Sequence, residues 1–250
     1  MVVIHYFSTL DSTNTEAVRM AEHGADHGTV IHADCQTGGR GRGGRNFFSP
    51  AGGLYFSIII RPTIELQLLP MITLAAGVGV STCIMASTQA NVLLKWPNDL
   101  YLDGKKLGGI LTESGPVSRG LGPEYLVVGV GINVKTQPEQ FPSSLRSRVV
   151  SLYHYSEQHI DVILLLNRLV VAVLSSVKEL ESNTDSVIAQ WQSLDYLRGK
   201  LVEYETPSGV IQATGQGLAP DGRYIVQDQN GDVHRVLAGD LHPIRCGFTE

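Results

Sequence analysis

The chain has 250 residues, 43% of them hydrophobic and 17% charged, with a formal net charge of −5 at pH 7. That is enough apolar material for one large domain, or a medium domain with a small appendage, and it argues against wholesale disorder. Mild acidity excludes a molecule that binds polyanions over its whole surface, so a local basic cluster stands out.

In chain order, residues 14–23 are expected to form a helix, with Ala17, Val18, Met20 and Ala21 near helical spacing and Gly24 as its stop. Thr13 and Glu16 stand at capping-box spacing. Thr29 to Gln36 is predicted as a strand and 37–50 as loop. Residues 53–61 alternate as a strand that Pro62 ends. Pro70 to Met85 is expected to be a buried helix, and Val92 to Trp96 a strand. Asp103-Gly104, between Leu100–Leu102 and Lys105–Leu107, signals a type I′ hairpin whose second arm continues towards Glu113. Tyr125 to Val134 is a further strand, and helices follow over about 160–182 and 184–195. This order predicts an α+β fold, with a mostly antiparallel sheet flanked by helices. From Gly199 the composition changes to short strand-like runs with turns about every ten residues, as in a small β-barrel. The expected units are 1–196 and 197–250.

Cys35, Cys83 and Cys246 are odd in number and widely spaced, which offers no metal pattern or disulfide framework and favours a reducing cytoplasm. The segment Met1 to Tyr6 lacks a basic n-region, so no signal peptide is expected. The apolar runs 71–86 and 162–174 are shorter than a bilayer span, so no membrane partner is expected.

Two segments carry the chemistry. In Gly39-Arg40-Gly41-Arg42-Gly43-Gly44-Arg45, three arginines stand among glycines with no acid beside them. The spacing Gly39-x-Gly41-x-x-Gly44 matches a dinucleotide fingerprint, but Asn46-Phe47-Phe48-Ser49-Pro50 follows where that motif needs a helix. The glycines instead let backbone N–H groups approach an anion, and the arginines add bidentate donors suited to phosphate. A flexible RG-rich surface loop is the alternative. In Lys95-Trp96-Pro97-Asn98-Asp99, a lysine closes a predicted core strand, where an unpaired ammonium is costly. It reads as a fixed cation at a site or as a snorkelling lysine beside Asp99. Ser12-Thr13-Asn14 reads as a helix cap or as part of a site. No Walker A sequence is present.

Five segments in order resemble the biotin protein ligases. They are Asp11-Ser12-Thr13-Asn14, Gln36 to Arg45 with Ser49-Pro50, Lys95 to Asp99, Lys106-Leu107-Gly108-Gly109-Ile110-Leu111, and Gly129-Val130-Gly131-Ile132-Asn133. The resemblance implies a class II synthetase-like catalytic domain with a small C-terminal SH3-like barrel. It also implies ATP and biotin as substrates, Mg²⁺ with the nucleotide, and a biotin carboxyl carrier domain as acceptor. Ser12, Thr13, Asn14 and Gln36 are then expected at the biotin end. Arg40, Gly41 and Arg42 would belong to a loop over biotin and the adenylate, and Arg45 would face the ATP phosphates. Lys95 would contact the reacting carboxylate and phosphate, Gly108 would belong to the substrate site, and Asn133 would lie near adenine. Lys95, Arg42 and Arg40 are the expected catalytic residues.

Phe47 stands where the family often carries Trp. The catalytic region begins almost at Met1, so the N-terminal helix-turn-helix and repressor role of some members are not expected. A homodimer is expected by resemblance alone. Both steps join substrates directly, so positioning and electrostatics would suffice without an enzyme nucleophile. The competing readings are a lipoate ligase or octanoyltransferase, and a nucleic-acid module using the arginine run. One short basic run in an acidic chain argues against the second.

Overall fold

A computed structural model describes residues 3–118, 122–155, 160–206, 209–237 and 239–244. In chain order the elements begin with β1 (Ile4–Leu10), α1 (Thr13–Glu22), β2 (Val30–Gln36), β3 (Leu54–Ile60), α2 (Ile72–Thr88), β4 (Leu93–Lys95), β5 (Asp99–Leu102) and β6 (Lys105–Ser114). A short ribbon, β7 (Val117–Ser118) with β8 (Gly122–Pro123), leads to β9 (Leu126–Ile132). Then come α3 (Ser143–Arg146), α4 (Leu152–Tyr155), α5 (Val162–Ser182) and α6 (Thr184–Ser193). The chain closes with β10 (Leu201–Thr206), β11 (Gly209–Leu218), β12 (Tyr224–Asp228), β13 (Val233–Val236) and β14 (His242–Pro243).

The main sheet runs β1-β2-β3-β9-β6-β5-β4. Only the β1–β2 pair is parallel, so the sheet is mixed and mostly antiparallel, as expected. Strand β1 is an addition to the expected elements. Its apolar alternation is diluted by His5, Ser8 and Thr9, and it forms an edge with Tyr6 exposed. At the turn between β5 and β6, Asp103 and Gly104 have φ of 49° and 72°. Positive φ at both central residues is the type I′ signature.

Helix α2 lies between the sheet and α5. A Cβ on Gly79 would stand 2.6 Å from the Ala172 carbonyl oxygen, so the two helices touch backbone to backbone. A Cβ on Gly77 would stand 3.3 Å from Leu94 on the sheet side. The apolar run is longer than the 71–86 read from sequence. Leu66–Thr88 has the length and hydropathy to cross a bilayer, but 61% of its most apolar window is buried within the protein.

The C-terminal strands form an antiparallel sheet in the order β13-β12-β11-β10-β14. Among the described residues no pairing joins its edge strands β13 and β14. It docks on the segment that follows β4. Trp96 Nε1 donates to the Gly222 carbonyl at 3.1 Å, and Tyr224 packs between Trp96 and Trp191, each ring centroid 6.1 Å away. The Tyr224 hydroxyl donates to Asp195 Oδ2 at 2.7 Å. Burial raises the Asp195 carboxyl above its ordinary range despite the hydrogen bonds from Tyr224 and the Leu197 amide.

Candidate functional site

Glycines sink the middle of the main sheet where β6 and β9 meet. A Cβ on Gly129 would lie 2.0 Å from Asn14 Oδ1, and one on Gly131 would lie 2.5 Å from Phe47 Cε1. The Asn14 side chain and the Phe47 ring therefore rest on bare backbone. Between them opens a cleft of about 140 Å³.

One end of the cleft is the N-terminus of α1. The expected capping box is not formed: the helix starts at Thr13, Ser12 makes no side-chain cap, and Glu16 pairs with Arg19 at 2.6 Å. Thr13 and Asn14 are thereby committed to the cleft wall. The Thr13 amide and hydroxyl bond Gln36 Oε1 at 2.8 and 3.1 Å, and Ser57 Oγ lies 2.8 Å from Thr13 Oγ1 and 2.6 Å from Asn14 Oδ1. Asn14 Nδ2 donates to Glu113 Oε2 at 2.8 Å and to the Leu111 carbonyl at 3.2 Å. Gln36 Nε2 reaches Ser49 Oγ at 2.7 Å and so ties this wall to the loop. A network satisfied in this way fixes each side chain in one orientation.

The other end is cationic. Arg42–Gly44 makes one 3₁₀ turn, with φ of 66° at Gly43 and 75° at Gly44, and no helix follows as a dinucleotide fingerprint would need. The acids missing beside these arginines in sequence arrive through the fold. Arg40 Nη2 donates to Glu113 Oε2 at 2.7 Å, while Arg42 donates to the Gly239 carbonyl and Arg45 to Asp240. From the β6 side Lys106 Nζ donates to Asp99 Oδ1 at 2.5 Å.

Of the residues expected at the site, Ser12, Thr13, Asn14, Gln36, Arg40, Gly41, Arg42 and Arg45 line this single cleft. Lys95, Gly108 and Asn133 do not. Lys95 is buried behind Asn98 and Asp99, with Nζ 4.0 Å from Asp99 Oδ2 and 5.7 Å from the Tyr101 ring centroid. Burial pulls its pKa down, against the attraction of Asp99 and Asp240. Gly108 serves strand packing, since a Cβ there would lie 2.2 Å from the Gly131 carbonyl oxygen. Asn133 is buried just beyond β9, and its Oδ1 has no hydrogen-bond partner among the described residues. Buried acceptors are rarely left so.

The cleft also contains residues that the sequence reading left off the site, chiefly Lys106, Asp99 and Asn98. The Asp103-Gly104 turn held the signal. It fixes the register of β6, whose alternation sends Lys105 and Lys106 to opposite faces, so one of them had to face the sheet's functional side.

The model of the biotin/lipoate A/B protein ligase family matches residues 6–133. The chain belongs to that family. Within it, the bifunctional ligase/repressor BirA of Bacillus spizizenii is 31% identical over 238 residues, covering 94% of this chain and 72% of the relative. The biotin–[acetyl-CoA-carboxylase] ligase of Mycobacterium tuberculosis is 29% identical over 241 residues, covering 94% of this chain and 86% of the relative. The solved biotin protein ligase of Aquifex aeolicus, in complex with biotin and ATP, superposes with a TM-score of 0.82 at 28% identity, covering 96% of this chain and 98% of that one.

Proposed function

We propose that this chain is a biotin protein ligase. It condenses biotin with ATP to biotinyl-5′-AMP and pyrophosphate, then passes the biotinyl group to a lysine of a biotin carboxyl carrier domain. In the first step the biotin carboxylate attacks the α-phosphorus and pyrophosphate leaves. In the second the lysine amine attacks the carbonyl of the mixed anhydride and AMP leaves.

The observation that carries this reading is the polarity of the cleft. Neutral hydrogen-bonding groups of Ser12, Thr13, Asn14 and Gln36 form one wall and Arg42 and Lys106 supply the cations, with Arg40 between them sharing Glu113 Oε2 with Asn14. A cyclic urea joined by an apolar chain to a carboxylate matches that order. Lipoate offers a dithiolane ring where biotin offers urea N–H and C=O groups, so it has less with which to hydrogen-bond this polar wall.

Lys106 takes the role that the sequence assigned to Lys95, holding the reacting carboxylate and the α-phosphate as charge builds between them. Lys95 supports it from behind by sharing Asp99. The Asn133 side-chain Oδ1, without a partner among the described residues, suits the amino group of adenine. Mg²⁺ would enter with the nucleotide and neutralise its polyphosphate. Asp99, the sole carboxylate lining the cleft among the described residues, fits as one oxygen ligand beside the phosphates.

We assign 1–196 to this catalytic unit and 197–250 to the appended sheet, and we place the protein in the cytoplasm, working as a homodimer. The RNA-binding alternative is disfavoured because the arginine run is one short basic stretch in a chain of net charge −5. The test is incubation with ATP, Mg²⁺, biotin and a carrier domain, read by intact mass. A biotin-sized increment that depends on ATP is expected, and its absence with an intact carrier lysine refutes the proposal.

A further inference from the structure

Asp240 belongs to the C-terminal sheet's last connection, 195 positions along the chain from Arg45, yet its carboxylate meets the arginine loop. Arg45 commits all its nitrogens to the protein. Nη1 and Nη2 go to the two oxygens of Asp240, and Nε donates to the Arg42 carbonyl at 3.0 Å. Arg42 Nη2 donates to the Gly239 carbonyl and lies 3.5 Å from Asp240 Oδ1, with its guanidinium carbon 6.0 Å from the Trp96 ring centroid. The base of the turn is closed by its own backbone, with Gly41 N–H donating to the Arg45 carbonyl at 2.6 Å, but no neighbour packs on its tip. A Cβ on Gly43 or Gly44 would find nothing within 4 Å. Burial alone would raise the Asp240 carboxyl, but the Arg45 hydrogen bond and the charges of Arg45, Lys95 and Arg42 bring it below its ordinary range.

We propose that Asp240 is a positioning residue for the nucleotide: it clasps Arg45, and through it Arg42, so that Arg42 already stands at the cleft when the phosphates of ATP arrive. A carboxylate between two guanidiniums also removes the repulsion that would otherwise drive them apart in a glycine-rich turn. Arg45 is then a strut rather than a phosphate ligand, and the C-terminal sheet becomes part of the nucleotide site. The identity of the anion rests on the ligase reading, whereas the clasp does not.

The experiment compares the full-length protein with Asp240→Asn, Asp240→Glu and the charge-reversed double variant Asp240→Arg with Arg45→Asp. Limited trypsin digestion without ligand reads the loop directly, through cleavage after Arg42 (and after Arg45 where it is retained). Calorimetry with MgATP and with biotin reads the two ends of the cleft. Asp240→Asn is expected to speed cleavage about fivefold, as an untied loop opens more often. It should weaken MgATP binding about tenfold, the scale of a lost charge-assisted contact, and shift biotin binding by less than about twofold. Asp240→Glu should recover most of the ATP affinity, and the double variant should recover protection after Arg42. Unchanged cleavage and ATP affinity in Asp240→Asn, or tighter ATP binding, overturns the proposal. The second result would mean that the carboxylate competes with phosphate. A wild-type protein that binds neither ATP nor biotin sinks the ligase reading, while the cleavage comparison still decides the clasp.

Discussion

Gly129→Ala tests the cleft wall at its tightest point. Gly129 pairs with Ser57 on β3 and with Leu111 on β6, and Asn14 lies across that row. The new methyl would stand 2.0 Å from Asn14 Oδ1 and 2.8 Å from its Cγ, so Asn14 has to leave. With it go the contacts to Ser57 at 2.6 Å, the Leu111 carbonyl at 3.2 Å and the Glu113 carboxylate at 2.8 Å. Two neutral hydrogen bonds at ~1 kcal/mol each and one charged bond at ~1.5 kcal/mol sum to about 3.5 kcal/mol, less whatever water recovers. A loss of about 2–3 kcal/mol in urea unfolding is therefore expected, together with biotin binding weakened by at least about tenfold. A Gly129→Ala protein with wild-type biotin affinity and stability within about 0.5 kcal/mol would refute the assignment of Asn14 to the biotin wall.

Three further outcomes are expected. Lys106→Ala should lower biotin-dependent ATP–pyrophosphate exchange about 100-fold while the protein stays folded by circular dichroism, the scale of a lost preorganised donor; near-normal exchange would return the role to Lys95. Because burial depresses the Lys95 pKa, the folded state holds that proton less tightly than the unfolded chain, so this group's cost to stability fades as pH rises from the depressed folded value towards 10.5. Lys95→Met should flatten that rise in urea midpoint, and an unchanged slope would contradict it. Trp96→Phe removes the 3.1 Å bond to Gly222 and should cost about 1 kcal/mol in thermal or urea unfolding, a loss that disappears if the sheet docks by shape alone.

Much of the scaffold was legible because its signals are local. The apolar run from Leu54 to Ile60, buried along its whole length, the Asp103-Gly104 turn and the helical spacing in 162–182 each specify an element without help from the rest of the chain. The cleft was legible wherever a motif is contiguous, as in Ser12-Thr13-Asn14 and Arg40 to Arg45. What escaped depends on pairing across distance. The partners of the arginines, Glu113 and Asp240, are ordinary acids on a strand and a loop until the fold brings them to the guanidiniums. Lys95 drew attention because a strand-end lysine in an apolar run is conspicuous, while Lys106 stood in the second arm of a hairpin, where nothing local marks it as facing a cleft. Thr13 and Glu16 had the spacing of a cap, but Gln36 and Ser57 outbid Glu16 for Thr13, a competition that spacing alone does not encode.

Helix α2 has a consequence for how the polypeptide is born. Its apolar surface is covered on one side by α5, which is translated only after the rest of the main sheet has emerged. At ribosomal rates the interval is on the order of several seconds. Throughout it, a segment greasy enough to span a bilayer waits without its lid, which makes the nascent chain a client for chaperones and a hazard if synthesis stops early.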